Sequence, residues 1–208
     1  YVPRPATKVF WFSPIELKHL ALSIFLVMGV GLSILLQIPG LRYSAREAPE
    51  ILISLAIVFT SVFLLHELAH KLLAQHYGLW AEFRLTMFGA LITLLSIVSP
   101  LKIISPGAVM ISGPMSRETF GKTALAGPLT NITLSIISVI FMLYPPSSFV
   151  QIIAMLGAAF NAWIALFNLI PFGMMDGLKV LLWNKMVWSM AFITSVILTI
   201  FTLTHIFA

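Results

Sequence analysis

Long uncharged apolar runs dominate this chain. Residues 20–38 carry no charge at all, and mostly apolar stretches of similar length follow at 51–77, 120–143, 149–170 and 186–207. A helix needs about 20 apolar residues to cross the hydrocarbon core of a bilayer. Runs of this length therefore select membrane-spanning helices over the buried helices of a soluble core. Composition agrees, since 60% of the 208 residues are hydrophobic and 9% are charged, against roughly 25% charged in soluble domains. A water-soluble enzyme, a disordered tail and a nucleic-acid-binding module are excluded. The net charge of +5 reads instead as basic residues gathered on the cytoplasmic side of a membrane. The expected fold is an all-α polytopic membrane protein with about six transmembrane helices. A small membrane-associated β region is expected between the second and third, and residues 1–208 are read as one domain.

The first segment covers 18–38 and is closed by Pro39-Gly40. Arg4, Lys8 and Lys18 precede its apolar run, which is too long for a signal-peptide core and lacks a small-residue cleavage site. It is read as the first membrane helix. A polar loop with Arg42, Arg46, Glu47 and Glu50 leads to the second segment, 51–77, with Gly78 as the expected C-cap. Residues 79–120 are rich in Thr, Ser, Ile and Val. They are broken by Gly89, Pro100, Pro106, Gly107, Gly113 and Pro114, a pattern of short strands and turns. Open strands cannot face lipid, so this stretch is expected at the interface or sheltered among helices. The third segment is 120–143, where Gly127-Pro128 marks a kink or a close helix contact. An uncharged turn, 144–148, leads to the fourth, 149–170, ended by Pro171. A short fifth helix is expected to begin near Met174, and the sixth covers 186–207. Basic residues cluster in the N-terminal arm, in 71–122 and in 171–186. The positive-inside rule puts these regions in the cytoplasm of a multi-pass cell-membrane protein.

The second segment carries His66-Glu67-Leu68-Ala69-His70. On a helix, the two imidazoles stand one turn apart, about 6 Å along the axis and about 40° around it, so both can reach one ion. Glu67 is placed beside them to take a proton from water. Ionisable residues inside a membrane helix mark function by default. The chain has no cysteine, so a transition metal must be held by His, Asp or Glu. A hydrolytic zinc site takes three protein ligands and leaves one position open. His76 would complete the pattern H-E-x-x-H-x-x-G-x-x-H, but Leu73 stands where that pattern has Gly. An unbroken helix turns His76 about 240° from His70 and about 9 Å further on. Glu118 sits in a polar surface turn, and His19 and His205 lie near segment ends. Asp176 is the one acidic residue after Glu118, and it follows a Pro/Gly-broken stretch. His66, His70 and Asp176 suit one zinc ion.

His66-Glu67-Leu68-Ala69-His70 is followed by Ala126-Gly127-Pro128-Leu129-Thr130-Asn131. Next comes Asn168-Leu169-Ile170-Pro171-Phe172-Gly173-Met174-Met175-Asp176-Gly177. In order, spacing and segment plan, these resemble the successive motifs of the site-2 protease family of intramembrane zinc metalloproteases, over 51–179 by motif. The resemblance implies zinc held by His66, His70 and Asp176, Glu67 as the catalytic residue, and Asn168 near the substrate or the developing oxyanion. It also implies a membrane-associated sheet at 79–112, and a membrane-protein substrate helix in the bilayer as partner. No PDZ or CBS module, which many members carry, is read in these residues. Asn131 and Gln151 are expected to bond across to neighbouring helices. Lys179 is expected to pair with lipid headgroups or with a carboxylate near the site.

The expected activity is peptide hydrolysis within or near transmembrane segments. A substrate helix must first unwind, and its opened backbone could pair with a strand edge in 79–112. A membrane metal-ion transporter is the alternative, because intramembrane His and Asp can also line an ion path. A prenyl-protein type of metalloprotease would need a downstream Glu ligand, which the chain lacks.

Overall fold

The computed structural model describes residues 8–37 and 48–207. Arg4, Pro39-Gly40 and the loop charges Arg42, Arg46 and Glu47 lie outside them. The chain runs α1 (Pro14–Gln37), α2 (Ala48–His76), β1 (Trp80–Leu85), α3 (Met87–Val98) and β2 (Gly107–Ser112). It continues with α4 (Arg117–Leu143), α5 (Ser148–Asn168), α6 (Asp176–Trp183) and α7 (Lys185–Phe207). Helices α1, α2, α4, α5 and α7 are long and apolar enough to cross a membrane, as the apolar runs require.

Local chemistry sets the ends. Gly78 stops α2 with φ +73. Its N–H bonds Gln75 O, and the Leu79 N–H bonds Ala74 O. This is the Schellman arrangement that a left-handed residue permits, so the expected C-cap is found. Ser116 and Ser147 cap α4 and α5 by accepting the N–H of Thr119 and Val150, satisfying donors a helix start leaves open. Pro128 sits inside α4, where its ring removes one helix hydrogen bond.

The 79–120 stretch corrects the expectation in part. Strands β1 and β2 form there and pair antiparallel, with Phe83 opposite Val109. Residues 87–98 between them are not strand but the helix α3. At apolar depth a lone strand leaves its backbone unpaired, whereas a helix satisfies its own, and this outweighs the β preference of Ile, Thr and Val. Thr86 caps the start by accepting the Gly89 N–H. Lys102 donates to the carbonyls of Ser96 and Ser99 and to Ser33 Oγ of α1. A cation at the last carbonyls of a helix is favourable. The expected fifth helix is α6, which starts at Asp176 rather than near Met174 and is 8 residues long, far short of a span.

The main core lies where α1, α2, α5 and β1 meet. Val27 and Val30 of α1, Phe59 and Phe63 of α2, Phe83 of β1 and Ile164 of α5 are buried together. The Phe59 ring lies 4.4 Å from that of Phe160, and Phe63 meets Phe83 edge-on at 5.6 Å. This packing fixes α2 against the sheet on one side and α5 on the other.

Candidate metal centre

Helix α2 presents His66 and His70 on one face, with their Nε2 atoms 3.1 Å apart. Asp176 arrives from the other end of the chain. Helix α5 stops at Asn168, Pro171 follows, and Gly173 turns the chain with φ +59. The chain doubles back so closely that a Cβ on Gly177 would lie 2.1 Å from Leu169 O. That approach sets Asp176 Oδ2 3.0 Å from His70 Nε2 and 3.5 Å from His66 Nε2. Tetrahedral zinc bonds of 2.0–2.2 Å separate donor atoms by about 3.3–3.6 Å. The three atoms already lie within a few tenths of an ångström of such a triangle, and all three residues are buried.

The surrounding bonds fit a metal as well. His66 Nδ1 bonds Asn131 Oδ1 at 2.5 Å, and His70 Nδ1 bonds Thr123 O at 2.7 Å. Both partners are acceptors, so each ring carries its proton on Nδ1 and turns the Nε2 lone pair inward, the usual support for metal-binding His. Asn131 Nδ2 donates to Val62 O and to Asn161 Oδ1, and Asn161 donates to Gly157 O. Asp176 Oδ1 is taken by Lys179 Nζ at 3.0 Å, so Oδ2 remains as one ligand atom. Burial by itself raises the Asp176 pKa. The facing imidazoles of His70 and His66, with Lys179, outweigh burial and hold it well below the usual carboxylate range.

Glu67 is half-buried next to this triangle. His66, Asp176 and Lys179 lie within electrostatic reach of its carboxylate, which also sits beside the Val109 N–H of β2. The structure thus brings together four of the five residues expected at the site. Asn168 ends α5 with its Nδ2 donating to the Ile164 O of its own helix at 2.9 Å. His76 ends α2 against the Tyr77 ring, and His205 lies exposed on α7. Neither joins the cluster. Glu118 pairs with Lys122 on the α4 surface.

Two contributions were not legible beforehand. Asn131 does bond across helices, as expected of a membrane amide, but one neighbour is a ligand imidazole. Asn161, which orients Asn131, gave no signal beyond being a polar residue in an apolar helix. Replacing Asn131 with alanine should weaken zinc binding about 10- to 100-fold, the usual cost of losing a partner of a ligating His. Zinc retention against a competing chelator measures it, and wild-type retention would show that His66 is oriented by something else.

Against known proteins, the chain is 37% identical over 171 residues to a protein of Methanocaldococcus jannaschii assigned by name as a zinc metalloprotease. The match covers 71% of this chain and 90% of that protein. No protein-family model and no solved structure matches.

Proposed function

Because the chain belongs to the zinc metalloprotease family of that archaeal relative, we propose that it is an intramembrane protease of the site-2 type, acting as one multi-pass domain on helices of other membrane proteins. The observation that carries this reading is the convergence of His66, His70 and Asp176 beside Glu67, with three of these four on a helix that can itself span a bilayer. A zinc ion bound there supplies Lewis-acid polarisation of the scissile carbonyl and makes water acidic enough to attack near neutral pH.

The chain's own residues do the rest. Glu67 accepts the proton of the attacking water on a carboxylate oxygen and passes it to the amide nitrogen as the C–N bond breaks, leaving an acid and an amine. Lys179 holds Asp176 Oδ1 and so keeps Oδ2 aimed at the imidazoles. Asn168 is assigned the oxyanion or substrate side, one helix turn before the bend that delivers Asp176. A substrate helix hides its carbonyls and must open locally. The outer edge of β2 offers backbone groups beside Glu67, and strand addition there would satisfy the opened peptide. The basic residues at the α1 start, after α2 and around α6 favour a cytoplasmic N-terminus and a cytoplasmic approach of water.

A metal-ion transporter would want ligand groups repeated along a path. Among the described residues one group able to hold an ion is found, and not a series of them along a path. The deciding experiment incubates purified protein, in lipid, with a membrane-spanning test substrate. Cleavage within the apolar segment should vanish on chelation and return with zinc. Cleavage indifferent to chelator, or zinc flux without cleavage, would sink the protease reading.

A further inference from the structure

Strand β1 has two edges. One pairs with β2, and the other would leave N–H and C=O groups bare among apolar helices, at several kcal/mol each. Side chains take three of those groups instead. Glu16 Oε1 of α1 accepts the Phe83 N–H at 2.8 Å, Lys71 Nζ of α2 donates to Ala81 O at 3.0 Å, and His19 Nδ1 accepts the Leu85 N–H at 3.4 Å. Glu16 and Lys71 also bond each other at 2.7 and 2.8 Å and are 0% and 1% exposed. The Lys71 ammonium lies 4.4 Å from the centre of the Phe12 ring.

Alternation along the strands assigns the edges. Ala81, Phe83 and Leu85 turn their backbone groups away from β2, so Trp80, Glu82 and Arg84 make the ladder with Ser112, Met110 and Ala108. On β2 the same alternation points the groups of Val109 and Ile111 outward. They have no backbone partner among the described residues, and Val109 lies beside Glu67.

A buried ion pair is a poor means of simply holding two helices together, because apolar side chains of similar volume do so as well or better. Apolar side chains cannot, however, give Phe83 an acceptor and Ala81 a donor. We infer that Glu16 and Lys71, with His19, act as a side-chain substitute for a third strand: they close the outer edge of β1 and leave the outer edge of β2, beside Glu67, as the one an entering peptide can join. The entering peptide rests on the protease reading, whereas the closed edge does not. Lys71 directly follows the ligand His70, so the same contact ties α1 to the helix that carries the site.

Amide hydrogen exchange of the zinc-loaded full chain in lipid, without substrate, tests the closed edge. Three variants separate the roles of the pair. Glu16→Leu/Lys71→Leu removes both charges, and exchange across 80–85 should quicken by about tenfold, the worth of one buried hydrogen bond, with zinc content unchanged. The swap Glu16→Lys/Lys71→Glu keeps an ion pair but sets a donor against the Phe83 N–H and an acceptor against Ala81 O, so protection should be lost again. Glu16→Gln keeps the acceptor and should stay near wild type, which keeps the test decisive if the double variant does not fold. Full protection in the swap would reduce the pair to a helix clamp and overturn the inference, as would unchanged protection in the double leucine variant. In the cleavage assay the double and swapped variants should lower kcat and KM together and leave kcat/KM near wild type, since a peptide can then also pair unproductively with β1. A fall in kcat alone would count against the edge role. If wild type cleaves nothing, the protease reading fails while the exchange result still decides the closed edge.

Discussion

Replacing Glu67 with glutamine should lower peptide cleavage by about 10³-fold, within the range that a positioned general acid–base contributes, while zinc content stays at the wild-type level. Glutamine keeps the size of glutamate and an oxygen for the Val109 N–H, but it cannot accept the proton of water. The ligand triangle is made by His66, His70 and Asp176, so the substitution leaves the donor atoms and their Nδ1 partners untouched. Measuring cleavage and bound zinc on the same preparation separates loss of chemistry from loss of metal. A Glu67→Gln protein that cleaves as fast as wild type would remove Glu67 from the mechanism and, with it, the protease reading.

Gly127→Ala should weaken zinc binding strongly without replacing any ligand. A Cβ at this position of α4 would stand 2.3 Å from His70 Nε2 and 2.6 Å from His66 Nε2, far inside contact distance. The rings cannot simply swing aside, because Asn131 and Thr123 O hold their Nδ1 atoms. Helix α4 cannot easily withdraw either, since Asn131, one turn further along, is bonded to both α2 and α5. Zinc affinity should fall by about 100-fold, the upper scale for disturbing the groups that orient a ligating His, and cleavage should fall with it. Zinc content by metal analysis and unfolding temperature by calorimetry are the readouts. Full zinc content in a normally melting Gly127→Ala protein would show that the imidazoles do not face α4 as described.

The legible parts of the site are those with a local cause. His66, Glu67 and His70 follow from the pitch of one helix, and Gly78 from the left-handed residue that ends it. Scarcity singles out Asp176, because a chain with no cysteine and one late acidic residue leaves few candidates for a third ligand. Gly127-Pro128 reads in the sequence as a kink or a close helix contact, and at Gly127 the close contact is what the fold uses. That the contacted groups are the ligand nitrogens depends on how α4 crosses α2, which no run of residues encodes. Residues 87–98 misled for a related reason. Their Ile, Thr, Val and Leu suit a strand in water, but at apolar depth the choice is set by which structure satisfies its own backbone. Glu16 and Lys71 stood in the sequence as ordinary charges near segment ends. Their partners, Phe83 and Ala81, lie on a strand whose depth and edge neither charge reveals.

From its residues alone, this chain was committed to several apolar helices and to two imidazoles with a carboxylate on one of them, because apolar length and helical pitch act over neighbouring positions. Folding in three dimensions decided the remainder: the arrival of Asp176, the amides behind His66, the helix between the strands and the closing of one sheet edge. Each of these depends on groups far apart in the chain, which are worth burying only when their partners meet them.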